Sequence, residues 1–193
     1  MKLYGLTGGI GMGKSTLGRL LSERSIPVID TDILARNLVE PGLPAFQEII
    51  HLFGPSIVAA DGRLRRDELA RRVFNDPAAL RSLEKILHPR IRELWKAQVD
   101  KWKEEGCAIG AVTIPLLFET EVQNEFDAVI CVACSQNTQQ ERLRARGWSD
   151  EQIEQRRASQ WPIERKMTAS NFVVWTDTTL EVHGAQLDRI LLT

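Results

Sequence analysis

The segment Gly8-Gly9-Ile10-Gly11-Met12-Gly13-Lys14-Ser15 constrains this chain more than any other, because it fills every fixed position of the spacing G-x-x-x-x-G-K-[ST], with Thr16 directly behind. Glycines at these places let the backbone turn consecutive N–H groups inward, since no Cβ blocks positive φ or the close approach of an anion. A helix starting near Lys14 adds the positive end of its dipole to that nest. The Lys14 ammonium can then reach the β and γ phosphates of a nucleoside triphosphate, and the Ser15 hydroxyl can ligate magnesium. Such a loop needs a strand before it and a helix behind it. Lys2 to Thr7 is a short apolar run ending in glycine, and Leu17, Leu20 and Leu21 recur at helical spacing after the loop.

A second apolar run, Ile26 to Ile29, follows closely enough to lie parallel to the first strand through a right-handed crossover, which makes the chain α/β. Strand signals return at Cys107 to Ile114, Ala128 to Val132 and Phe172 to Val174, and Leu180, Leu187 and Leu191 predict a closing helix. Between Asp32 and Glu105 the pattern is helical: Leu69, Val73 and Phe74, then Leu80, Leu83, Ile86 and Leu87. Ile91, Leu94, Trp95, Val99 and Trp102 fall on one face of a further helix, with Pro89 where that helix would restart. The two indoles are expected to pack in the core against the sheet.

Lys plus Arg total 25 against 26 Asp plus Glu, a net charge of -1, so no global field favours nucleic acid or an anionic membrane. Neither is an expected partner. The longest uncharged apolar stretch, Cys107 to Phe118, falls well short of the roughly 20 residues that span a bilayer. The opening residues lack the basic start and apolar core of a secretory leader, so a cytoplasmic location is expected. The three cysteines are expected to be reduced. Cys131 and Cys134 form a C-x-x-C, but inside an apolar run that reads as a buried strand rather than a metal or redox site.

A motor or transporter ATPase would show an apolar strand ending in Asp or Asp-Glu, whereas the run from Cys107 ends in Thr113-Ile114-Pro115. A GTPase would show N-K-x-D, and no Asn-Lys pair occurs. Kinases instead exclude water, close over a second substrate and meet the transferring charge with arginines. The segment 136–166 carries Arg142, Arg144, Arg146, Arg156, Arg157, Arg165 and Lys166 and fits such a lid, although a solvated helix pair would read the same. Asp30-Thr31-Asp32 lies at the carboxyl end of the second strand, the edge where open α/β sheets bind ligands. An acid there can take the proton of an acceptor hydroxyl, hold magnesium through water, or cap the next helix. Both acids are not needed as the cap, which puts Asp32 forward as a base.

Several separated matches, in order and over almost the whole length, resemble the dephospho-coenzyme A kinase family. They are Leu6-Thr7-Gly8-Gly9-Ile10-Gly11 with Gly13-Lys14-Ser15-Thr16, Val28-Ile29-Asp30-Thr31-Asp32 with Ala35-Arg36, Glu40-Pro41-Gly42, Phe53-Gly54, Asp61-Gly62, Leu87-His88-Pro89, Pro115-Leu116-Leu117-Phe118-Glu119, and Gln139 followed by Arg142. The resemblance implies transfer of the ATP γ-phosphoryl group, with magnesium, to the ribose 3′-hydroxyl of dephospho-coenzyme A, the last step of coenzyme A biosynthesis. It also implies a P-loop kinase fold of three αβα layers around a five-stranded parallel sheet. One domain would span 1–193, with core 1–31, 106–135 and 167–193, a helical coenzyme-binding subdomain at 32–105 and a lid at 136–166.

By the same resemblance Asp32 is the base, and Lys14 and Arg142 are catalytic cations, Arg142 reaching the phosphates from the lid. Gly9, Gly11, Met12, Gly13, Lys14, Ser15, Thr16, Arg142 and Arg146 would bind the nucleotide, Ser15 also the metal. Thr7, Asp32, His88, Pro115, Leu116, Leu117 and Glu119 would border the acceptor, a capping or core role for His88 being equally open. Three places depart from the family. Thr113 stands where many relatives carry an acid, and Ser170-Asn171 and Thr176 stand where Ala-Asp and Asn are common. The alternatives are another small-molecule P-loop kinase, for a nucleoside monophosphate or a sugar, and a module that senses ATP without turnover. The oligomeric state is open, and a monomer is compatible with all of these.

Overall fold

A computed structural model describes the backbone of residues 1–193 and all side chains except those of residues 74 and 75, so the expectation for the Phe74 side chain lies outside the described residues. The chain runs β1 (Lys2–Gly8), α1 (Lys14–Glu23), β2 (Val28–Asp30), α2 (Thr31–Leu38), α3 (Pro44–Phe53), α4 (Arg66–Asn75) and α5 (Pro77–Glu104). It continues through β3 (Ile109–Thr113), β4 (Ala128–Ala133), α6 (Gln136–Arg144), α7 (Asp150–Ala158), α8 (Ile163–Ala169), β5 (Phe172–Trp175) and α9 (Leu180–Leu191). The strands form a five-stranded sheet in the order β2-β3-β1-β4-β5. β1 pairs in parallel with β3 and β4, and β4 with β5. The expected α/β architecture is therefore present, with β3 filling the place between the first two strands.

Alternation along β1 sends its side chains to opposite faces. Tyr4 and Leu6 join Ile130, Val132 and Val174 against Leu17, Leu20 and Leu21 of α1 and Leu187 and Ile190 of α9. On the other face, Gly5 and Gly110 lack side chains because their neighbours fill the space. A Cβ on Gly5 would lie 2.7 Å from Leu117, and one on Gly110 would lie 2.9 Å from the Trp102 indole. Trp102 thus packs on the sheet as its periodicity predicts. β1 is central, and its carboxyl end has β3 on one side and β4 on the other, the kind of position where open sheets bind ligands.

Residues divide into two units, 1–29 with 102–193, and 30–101. Segment 136–166 supplies α6, α7 and the start of α8 to the first unit. The second unit has its own core of Val39, Ile49, Ile57, Leu69 and Val73, with Leu80, Leu83, Ile86 and Leu87 packed against it. Helix α5 does not restart at Pro89 but runs through it. Interior proline removes one i→i−4 bond and crowds the preceding turn, at a cost of roughly 3 kcal/mol. Burial of Leu83, Ile86 and Leu87 before it and of Trp95 and Val99 after it offsets that loss. In the same turn the Arg90 guanidinium donates to the Ile86 carbonyl at 2.6 Å. A small antiparallel bridge, Val58 with Leu64, occurs where the sequence gives no strand signal. Among the described residues no helix is long and apolar enough to cross a membrane.

Candidate active site

The loop between β1 and α1 takes the shape its glycines allow. Gly8 leaves β1 at φ +141°, with the Val132 carbonyl oxygen only 2.1 Å from where a Cβ would stand. Gly11 and Gly13 also have positive φ, at +72° and +100°. Helix α1 has no side-chain cap and no acid in its first turn, so its leading N–H groups are left to an anion. The Lys14 ammonium, half-buried, donates to the Gly8 and Gly9 carbonyls at 2.9 Å each. It therefore sits across the loop mouth, held by oxygens that phosphate oxygens can replace. Ser15 is exposed at the second position of α1, and Thr16 is half-buried behind it.

Arg142 and Arg146 diverge. The Arg142 guanidinium, expected at phosphates, donates to the Thr176 hydroxyl at 2.9 Å and to the Thr176 carbonyl at 2.5 Å. Thr176 in turn donates to the Met12 carbonyl of the loop at 3.0 Å. Arg146, just past the end of α6, is exposed and has no side-chain partner among the described residues. The other cations of the segment are engaged: Arg144 with Asp150, Arg157 with Glu154, and Arg156 over the Trp148 ring.

After β3 the turn Pro115–Glu119 lies on the face of β1 that carries Thr7. The Thr7 hydroxyl donates to the Pro115 carbonyl at 3.3 Å. Lys166, wholly buried on α8, donates to the same carbonyl at 2.6 Å and pairs with Glu119 Oε1 at 2.8 Å. That oxygen also accepts the Trp161 backbone N–H at 2.7 Å, while Glu119 Oε2 is buried with no partner among the described residues. The Trp161 ring stacks on Phe118 at 5.7 Å, and Arg165 covers it at 3.3 Å. Leu117 is buried within this turn and Leu116 half-exposed. Lys166, Gln160 and Trp161 were not marked by any motif as supports of the site, and Thr176 stood out only as a departure from the family.

In the second unit, Asp30 caps α2, its carboxylate accepting the Asp32 N–H at 2.9 Å. Asp32 is exposed in the first helical turn and is not the cap. His88 is half-buried on α5, one residue before Pro89.

Among the described residues no cluster of three or more His, Cys, Asp or Glu could hold a metal ion alone. Magnesium carried by nucleotide phosphates needs less, since it keeps several waters and takes one or two protein ligands. The exposed Ser15 hydroxyl fits that need. Thr113 is buried at the end of β3 and offers no carboxylate. Cys131 and Cys134 are buried in and just past β4. Burial pushes the Cys131 thiol up to about 11, against the pull of nearby Lys166 and Lys14. It is a thiol rather than a thiolate at neutral pH.

A family profile for dephospho-CoA kinase matches residues 2–181. The dephospho-CoA kinase of Bdellovibrio bacteriovorus is 42% identical over 191 residues, which cover 99% of this chain and 95% of that protein. The crystal structure of TT1252 from Thermus thermophilus superposes with a TM-score of 0.85 at 34% identity, covering 99% of this chain and 96% of that one. A dephospho-CoA kinase from Campylobacter jejuni superposes with a TM-score of 0.71 at 23% identity, over 100% and 96% of the two chains, a likeness of fold alone.

Proposed function

This chain belongs to the dephospho-CoA kinase family, and we propose that the residues assigned below carry out that family's reaction. It is an ATP-dependent kinase that phosphorylates dephospho-coenzyme A, the final step of coenzyme A formation. The observation that carries the assignment is the phosphate loop, where the uncapped start of α1 and the Lys14 ammonium meet the carboxyl end of the central strand.

Phosphoryl transfer asks the protein mainly for positioning and charge stabilisation. The N–H groups of Gly9 and of Gly11 to Thr16 would hold the phosphates, and Lys14 would exchange the Gly8 and Gly9 carbonyls for phosphate oxygens. The ribose 3′-oxygen attacks the γ-phosphorus while the bond to the β–γ bridging oxygen breaks. Asp32 would take the 3′-hydroxyl proton on a carboxylate oxygen. Arg142 and Arg146 would meet the nucleotide from α6 and just beyond it. Thr7, His88, Pro115, Leu116, Leu117 and Glu119 would border dephospho-coenzyme A. Magnesium, held in part by Ser15, would supply neutralising charge on the phosphate oxygens. A cytoplasmic location is part of the same proposal.

The test is ADP release from magnesium ATP with dephospho-coenzyme A, AMP or adenosine as acceptor, the product being identified by mass. Turnover with dephospho-coenzyme A alone is expected. ATP binding with no turnover on any acceptor would favour a sensing module. In the same assay Asp32→Asn is expected to lose roughly 10²–10⁴ in rate with ATP affinity kept, and unchanged turnover would remove Asp32 from the base role.

A further inference from the structure

Two carboxamides hold Ile10 of the phosphate loop. Gln139 Nε2 donates to the Ile10 carbonyl at 2.8 Å, and Gln160 Oε1 accepts the Ile10 N–H at 3.2 Å. Gln139 lies on α6 and Gln160 follows α7, so the grip comes from both ends of the lid segment. Both peptide groups flanking the Ile10 Cα are thereby fixed, and with them its φ and ψ.

The carbonyl side matters most, because an oxygen turned toward the phosphates would set partial negative charge against negative charge. The Met12 carbonyl, two residues on, is committed in the same way, to the Thr176 hydroxyl. Ile10 has Gln139, which is only 3% exposed, so solvent does not readily replace its amide. Packing supports the same contact. Leu143, one turn along α6, lies 2.9 Å from where a Cβ of Gly11 would stand, and Gln139 Nε2 lies 3.3 Å from that of Gly9.

We propose that Gln139 and Gln160 are positioning residues for the nucleotide, which lock the loop at Ile10 to both ends of the lid segment and keep the Ile10 carbonyl turned away from the phosphates. Neither needs to touch substrate. The inference rests on the reading of this loop as the ATP site.

Calorimetric titration of magnesium ADP into the wild-type protein, Gln139→Met, Gln160→Met, the double variant and Gln139→Glu tests it, alongside KM for dephospho-coenzyme A and thermal midpoints. Methionine keeps length and volume but removes the amide. Gln139→Met is expected to weaken ADP binding roughly tenfold, the size of one hydrogen bond, and Gln160→Met about threefold. The double variant should depart from the product of the two, since both act on one residue. Gln139→Glu faces acceptor to acceptor and should weaken binding more than methionine does. Midpoints within a few degrees of wild type and a KM for dephospho-coenzyme A within about twofold would separate positioning from general damage. Unchanged ADP affinity in both methionine variants overturns the proposal, as do equal losses for ADP and dephospho-coenzyme A with lowered midpoints. A wild type that binds ADP but leaves dephospho-coenzyme A untouched sinks the acceptor assignment only, and the affinity comparison still decides this one. A wild type that binds no nucleotide sinks both.

Discussion

The phosphate loop and the Pro115–Glu119 turn sit at the ends of neighbouring strands, yet only the loop takes its backbone path from its own residues, with Gln139, Gln160 and Thr176 bracing it from outside. In the loop, glycines supply the positive φ values and Lys14 folds back onto carbonyls five and six residues earlier. The turn is held from afar. Its Pro115 carbonyl takes a donor from Thr7, 108 residues before it, and one from Lys166, 51 residues after it. Glu119 depends on Trp161 and Lys166 in the same manner. A locally determined site fails when a side chain is added, and a remotely supported one fails when a side chain is taken away.

The largest expected effect is at Gly8. Gly8→Ala would place a methyl group 2.1 Å from the Val132 carbonyl oxygen, at a φ that L residues rarely adopt. Both partners are backbone in paired central strands, so nothing flexible can yield. Destabilisation above about 4 kcal/mol is expected, seen as loss of folded protein in a thermal or urea melt. A midpoint near wild type would break the claim that local sterics shape the loop.

Lys166→Met comes next. It strands the Glu119 carboxylate among buried neighbours, and removing one partner of a buried pair typically costs about 3–5 kcal/mol. Adding Glu119→Gln removes the stranded charge and should recover part of the loss. Denaturant titration of the two single variants and the double one gives the coupling, and strict additivity would show that the pair does not hold the turn. Lys14→Ala belongs on the barrier rather than on the fold. A melt like that of wild type is expected, with turnover reduced by roughly 10²–10³, or about 3–4 kcal/mol of lost charge stabilisation. A large drop in midpoint would instead make Lys14 a structural strut.

The same contrast governs what could be read from the chain. The loop, the strand before it and the helix behind it were legible because eight consecutive residues state the requirement. The sheet was legible from apolar runs, apart from the insertion of β3 beside β1, which pairing decides and periodicity does not. Pro89 misled because local propensity argues for a break, while the stripe of buried side chains on both sides carries the helix through. Lys166 was invisible as a support: among arginines in a polar segment it reads as solvated charge, and only the fold brings it under the Pro115 carbonyl. Asp30 and Asp32 were separable in principle by capping geometry, which the hydrogen bond to the Asp32 N–H assigns to Asp30.

Thr176 tests how far the loop is self-sufficient. Its hydroxyl donates to the Met12 carbonyl and accepts from Arg142, and the residue is 3% exposed. Thr176→Val keeps the shape and removes both bonds, although Arg142 retains the Thr176 carbonyl. An unsatisfied buried carbonyl costs about 1–3 kcal/mol, and in a protein of this size each kcal/mol lowers the midpoint by roughly 2–4 °C. Asparagine, which can both donate and accept, is expected to recover most of that loss in Thr176→Asn. If valine melts with wild type, Thr176 adds nothing to the loop's stability, and the loop rests on its own glycines with the Gln139 and Gln160 contacts at Ile10. If valine loses several degrees and asparagine restores them, the loop also leans on a distant side chain, and the two regions differ only in how much of their support is local.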